Sequence, residues 1–263
     1  MSNIGVYVDI SNISQNGGFK MRYEVLREFA CRNNGIAIHL NAYIAYDVEK
    51  AEEDYVYKAN SKNFHSILRD FGYKVIIKKT KWYTDEDGNR YGKSNADLDM
   101  AVDILLQSEK LDKVLIVTGD GDFVQVVRSL QNKGVRVEIL AFKNISNELI
   151  READSFINGY LIPELIPTQD KNVHRGVCYS YKKDENFGFI RFIREVATGD
   201  FWVTDTRKKN SPYESVFFHM NDLPKDISHH QLPSREQIFE FEVEKNRNDN
   251  RKLIAINIKK IDC

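Results

Sequence analysis

Short β-branched runs alternate with longer amphipathic segments through the first two-thirds of the chain. Ile4 to Val8, Ala37 to Ala45, Tyr73 to Ile77, Val114 to Val117 and Val135 to Leu140 are predicted strands. Most are continuous apolar runs, the pattern of strands buried on both faces of a parallel sheet. Between them, Met21 to Arg32, Lys50 to Phe71, Asp97 to Gln107, Phe123 to Lys133 and Ser146 to Glu152 carry apolar residues at helical spacing. Gly35, Gly72 and Gly134 fall where helix C-caps belong. This alternation predicts an α/β domain with a Rossmann-like, doubly wound parallel sheet. After about residue 175 the pattern changes. GVCYSY, FGFIRFI, DFWVTD, SVFFHM, FEFEVEKN and LIAINIKKI are short alternating runs separated by turn-formers, which predicts a small all-β barrel. Pro163, Pro167 and the polar stretch after it break the periodicity between the two parts, so the expected division is residues 1–166, a linker at 167–174 and a second domain at 175–263.

Charge sharpens that division. The 263 residues carry 38 Lys and Arg against 39 Asp and Glu. Residues 1–170 hold 21 basic and 25 acidic side chains, whereas 171–263 hold 17 and 14, so near-neutrality is a cancellation between an acidic and a basic part. No run approaches the ~18 apolar residues of a membrane span and the start lacks signal-peptide regions, so a cytoplasmic protein without a membrane partner is expected. Cys31, Cys178 and Cys263 are far apart, which indicates neither a disulfide framework nor a zinc site.

Ligands of doubly wound sheets bind beyond the carboxyl ends of the strands. Here those ends are acidic: Asp9 closes the first strand in VYVDISN, Asp120 and Asp122 follow the fourth in IVTGDGDF, and Asp97, Asp99 and Asp103 open the helix after the third. A single Asp at a strand end is most often a helix cap. Three converging sets are different, because crowded carboxylates repel one another unless a cation neutralises them. Hard oxygen ligands without His or Cys point to Mg2+ or Mn2+, and the usual chemistry of such a centre is phosphodiester hydrolysis. The chain has no GxxxxGK[ST] loop, no GxGxxG after the first strand, and Ser11 where a haloacid-dehalogenase-type phosphatase would need its second Asp.

An acidic mouth needs other groups to hold a polyanion. KVIIKKTKWY supplies Lys78, Lys79 and Lys81 beside Trp82 and Tyr83, with Arg90 and Lys93 after a polar loop. Such a segment is either a solvated strand and hairpin or a contact surface for single-stranded nucleic acid. Its position, leading directly into the helix of Asp97, favours the contact surface.

The strings VYVDISNI, KSNADLDMAVDIL and TGDGDFVQVVRSLQNKGVRVEI, followed by READSFI, together resemble the NYN domain of the LabA-like group, relatives of the PIN-type nucleases, over about residues 3–160. The resemblance implies a metal-dependent endoribonuclease acting on single-stranded RNA. It assigns Asp9, Asp97, Asp120 and Asp122 as metal-binding acids and Asn12 as their polar companion in the catalytic set, with Asp103 a further family acid. In the second part, NFGFIRF and SVFFHM resemble the ribonucleoprotein motifs of cold-shock domains, and FEVEKNRNDNRKLIAINI their last hairpin. That likeness implies an OB fold whose Phe187, Phe189, Phe217 and His219, with Tyr181 beside them, stack on unpaired bases. The usual Trp is replaced by Ser180, the preceding Lys-Gly by Glu185-Asn186, and Arg191 to Ser215 is a longer connection, in which Arg207, Lys208 and Lys209 are candidate replacement cations. The expectation is a ribonuclease with an RNA-binding accessory domain. The rival is an RNA-binding regulatory protein that keeps the fold without turnover, and self-association is left open.

Overall fold

The computed structural model describes residues 1–168, 170, 172–196, 201–246 and 249–261. It separates into two compact units: Met1–Phe19 with Asn34–Ile157, and Lys20–Asn33 with Asn158–Cys263. The expected linker at 167–174 falls inside the second unit, with residues 169 and 171 outside the described set, as is Cys263.

The first unit is built on a six-stranded sheet. Its strands are β1 (Asn3–Asp9), β2 (Ile36–Tyr46), β3 (Lys74–Lys79), β6 (Lys113–Val117), β7 (Arg136–Ala141) and β8 (Ser155–Asn158), in the order β3-β2-β1-β6-β7-β8. β4 (Lys81–Thr84) and β5 (Arg90–Lys93) form a separate antiparallel hairpin. The ladders joining β3, β2, β1, β6 and β7 are parallel. Burial on both faces explains the unbroken apolar strands: consecutive residues of β1 and β6 such as Val6, Tyr7, Val8 and Leu115, Ile116, Val117 are all solvent-excluded.

The unit's helices are α1 (Ile10–Gln15), α3 (Val48–Glu53), α4 (Tyr55–Asp70), α5 (Ala96–Gln107), α6 (Val124–Asn132) and α7 (Asn147–Glu152). α5 packs Ala96, Met100 and Ile104 over Tyr7 and Tyr43, and α6 adds Val124, Val127 and Leu130 to the same core. The single helix expected over Lys50 to Phe71 is two. Asp47 caps the first by accepting the Lys50 N–H, and Asp54, in extended conformation, caps the second by accepting the Tyr57 N–H. The six-residue α1, too short to show a periodicity, was not expected.

The second unit holds α2 (Tyr23–Ala30) and a closed barrel of β9 (Val173–Lys182), β10 (Phe187–Ile193), β11 (Tyr213–His219), β12 (Ile238–Asn246) and β13 (Asp249–Ile261). The order is β10-β11-β13-β12-β9, closing from β9 back to β10, and every pairing is antiparallel except β11 with β13. This is an OB-like barrel, filled by Cys178, Ile190, Phe192, Val216, Phe218, Phe239 and Phe241. Burial pushes the Cys178 thiol up to about 11, the state of an inert core sulfur. Among the described residues no helix is long and apolar enough to cross a membrane.

Candidate functional site

Parallel register sets the first site. Val8 of β1 lies beside Val117 of β6, so Asp9 and the Thr118–Asp120 loop leave the sheet at the same edge. Asp9 is 7% exposed and caps α1, its Oδ1 accepting the Asn12 N–H at 3.0 Å. Asn12 Oδ1 in turn accepts the Gly119 N–H at 3.0 Å, tying α1 to the loop that carries Asp120. Asp120 Oδ1 accepts the Asp122 N–H at 3.0 Å, and the Asp120 N–H donates to Thr118 Oγ1 at 3.3 Å. Gly121 lies close to Ser146: a Cβ there would sit 2.9 Å from Ser146 Oγ, which would have to shift. The D-x-x-N and GDGDF strings thus encode caps and loop ties as well as acids. Both caps run through Oδ1, and the Ser11 N–H also bonds to the Asp9 carboxylate.

Asp97 stands in the first turn of α5. Burial raises the Asp9 pKa, the Asn12 N–H opposes that shift, and the charges of Asp120 and Asp97 reinforce it. The structure therefore brings Asp97 and Asp120 each within electrostatic reach of Asp9. Asp122 is exposed and takes no part in that coupling. Among the described residues no three His, Cys, Asp or Glu side chains are drawn together closely enough to grip a metal ion as they stand. The donor chemistry, all carboxylate oxygen around one buried acid, is nevertheless that of a hard divalent cation.

Two neighbouring acids have protein partners. Asp103 accepts the Tyr43 hydroxyl at 2.8 Å, and Asp99 pairs with Lys78 at 2.6 Å. Lys78, expected to contact nucleic acid, already serves an acid at the mouth of the site. Beneath it runs a polar layer that sequence reasoning missed: Tyr7 and Asn41 both donate to Gln107 Oε1, at 3.2 and 3.1 Å. Its only sequence signal is polar residues at period two within otherwise apolar strands. Lys79, Lys81 and Lys93 are exposed, on β3 and on the hairpin.

On the barrel, Phe187 and Phe189 alternate along β10 with the buried Gly188 and Ile190, and so face outward. Phe217 is the cross-strand partner of Phe189, and His219 that of Phe187. The three phenyl rings lie 5.3 to 5.9 Å apart, with Lys182 Nζ 5.1 Å from the Phe187 ring. His219 Nδ1 accepts the Asn221 N–H, so its ring also caps a short turn. Tyr181 does not join this platform. Its cross-strand neighbour is Gly188, which has no side chain, so the ring reaches inward and stacks on the buried Phe218 at 6.4 Å. Its hydroxyl bonds to His229 Nδ1. Of the candidate cations in the long connection, Arg207 is clasped by Asp205 through two 2.9 Å bonds, which hold the Asp205 pKa down to about 2.

The LabA protein ("Low amplitude and bright protein LabA") of Synechococcus elongatus is 27% identical over 164 residues, covering 60% of this chain and 83% of its own length. A solved protein of unknown function from Vibrio parahaemolyticus matches at 24% identity and a TM-score of 0.48, over 60% of this chain and 92% of its own. The NYN domain itself matches residues 3–163, a span that holds Asp9, Asn12, Asp97, Asp120 and Asp122. Well over half of the chain is accounted for in this way, and it belongs to the NYN domain family of the PIN-like nuclease superfamily.

Proposed function

We propose that the protein is a metal-dependent endoribonuclease that cleaves single-stranded RNA at the edge of the sheet bearing Asp9, Asp97 and Asp120. The observation that carries this reading is that Asp97 and Asp120, from two other segments, press their charge on the buried Asp9, while Asn12 ties the Asp9 helix to the loop of Asp120. Asp9, Asp97 and Asp120 would hold Mg2+ or Mn2+, with Asp122 flanking them. Such an ion supplies Lewis-acid polarisation of a phosphoryl oxygen and a more acidic bound water. The chain's own part is to fix the acids. Asp9 and Asp120 are each locked by a cap through Oδ1, and Asn12 holds the two segments in step as a positioning residue. Lys78 balances charge at the mouth through Asp99. The Phe187, Phe189 and Phe217 platform supports single-strand binding, because ring faces accept any base.

Asp120→Asn is expected to lower cleavage of a single-stranded RNA at least ~100-fold in Mg2+ or Mn2+ while leaving affinity nearly unchanged, since one centre commonly supplies several kcal/mol of charge stabilisation. Gel assays of cleavage and anisotropy titrations measure the two separately. Equal cleavage by wild type and variant would remove the active-site assignment and leave RNA binding without turnover.

A further inference from the structure

The β4–β5 hairpin has two unlike faces. Its register sets Lys81 opposite Lys93, Trp82 opposite Gly92, Tyr83 opposite Tyr91 and Thr84 opposite Arg90. Alternation therefore puts Trp82, Arg90 and Gly92 on one face and Lys81, Tyr83, Tyr91 and Lys93 on the other.

The first face is held down. The Arg90 guanidinium lies 4.8 Å over the Trp82 ring and pairs with Glu49, while Trp82 Nε1 donates to Asp47 at 3.2 Å. Asp47 and Glu49 are the cap and first turn of α3. Gly92 lets the indole lie flat across the ribbon: a Cβ there would meet the Trp82 ring at 3.4 Å and Thr80 Cγ2 at 2.8 Å.

The second face has no such partner among the described residues. Tyr83 and Tyr91 stack at 5.8 Å and 26° and are 45% and 50% exposed. Lys81 and Lys93, exposed and directly opposed, place two like charges at one rung. Such a rung weakens the pairing, and rings left in water forgo burial, so the hairpin carries two costs that its own fold does not offset. One ligand chemistry relieves both: phosphate between the lysines and a planar base against the tyrosines. The turn adds a direction. Asp85, Glu86 and Asp87 make the tip acidic, and Asp85 Oδ1 accepts the Asp87 and Asn89 N–H groups and stiffens it. An anion is thereby turned from the tip toward the base, where Lys93 leads within a few residues to Asp97.

We propose that Lys81, Tyr83, Tyr91 and Lys93 form a binding face for single-stranded RNA, with Trp82 and Arg90 as its anchor rather than its contacts. The choice of RNA rests on the ribonuclease reading; the two-faced ribbon does not. The test is anisotropy of a short labelled oligouridylate with the full chain in metal-free buffer. Tyr83→Ala with Tyr91→Ala should weaken binding about 5- to 150-fold, the loss of one stacked base. Lys81→Gln with Lys93→Gln should lower the slope of log affinity against log salt by about 1.4. Tyr83→Phe with Tyr91→Phe, which keeps both rings, should restore most of the affinity that the alanine pair loses. Against inorganic polyphosphate, which has no bases, the lysine pair should matter and the tyrosine pair should not.

Wild-type affinity for RNA in the tyrosine-to-alanine variant would overturn the proposal and turn the face toward another partner, such as an acidic peptide. Equal weakening toward polyphosphate would overturn it too, because the loss would then be of hairpin shape. If Asp120→Asn cleaves like wild type while the tyrosine effect stands, the nuclease reading fails and the binding face survives.

Discussion

At the scale of single residues, Asp9 does two things that conflict. It caps α1, and it places a charge where burial and the charges of Asp120 and Asp97 oppose ionisation. Its pKa in the fold is raised, so its contribution to stability is full below the ordinary carboxylate range and is lost as pH rises through the raised value. Above the ordinary carboxylate range Asp9 is therefore a destabilising group, tolerable if the site has a cation to bind. Asp9→Asn keeps an acceptor for the Asn12 N–H and removes the charge. In metal-free buffer it is expected to melt above wild type near neutral pH, with the gain shrinking as pH falls into the carboxylate range, and to lose cleavage. A gain that does not vary with pH would assign the effect to the cap alone. Asn12 differs because its contribution is geometric. Asn12→Ala strips the partner from the buried Gly119 N–H and should cost ~1–3 kcal/mol in denaturant unfolding.

At the scale of elements, what was legible in the sequence followed what was local. β1, β6 and β7 are runs of apolar residues because both their faces are covered, and no partner need be known to see it. The acids at the ends of β1 and β6 were legible for the same reason. The split between α3 and α4 was not, since the apolar spacing continues across Asp54 and only its extended backbone and its bond to the Tyr57 N–H reveal a second start. Asp54→Ala should therefore cost about 1 kcal/mol, as loss of an N-cap does, read from the shift in denaturation midpoint. Pairings across the fold were hidden altogether. Tyr181 turns inward because the residue opposite it is Gly188, and Lys78 meets Asp99 from 21 residues away. Neither partner can be read from the segment that contains the first.

At the scale of the whole molecule, the chain does not divide at one cut. α2 falls within the NYN match, yet it clusters with the barrel unit. Leu26, Phe29 and Ala30 of α2 are almost fully buried. Phe201, from the connection between β10 and β11, meets Phe29 edge-on at 5.3 Å, and the Arg32 guanidinium lies 4.3 and 4.8 Å from the two rings. The Arg22 N–H donates to the Leu165 carbonyl at 2.8 Å. The connection that exceeds the cold-shock pattern thus has a structural use, delivering Phe201 to α2. A chain ending at residue 166 would keep α2 and lose Phe201, leaving part of an apolar helix face in water. That fragment is expected to bind a hydrophobic dye and to melt below the full chain. Phe201→Ala in the full chain should reproduce a smaller part of the loss, at least the ~0.5–1.5 kcal/mol of one aromatic pair. A fragment that stays dye-free and melts with the full chain would mean that α2 is held by residues 1–166 alone, and the division at the Pro167 end of the first domain would then be the physical one.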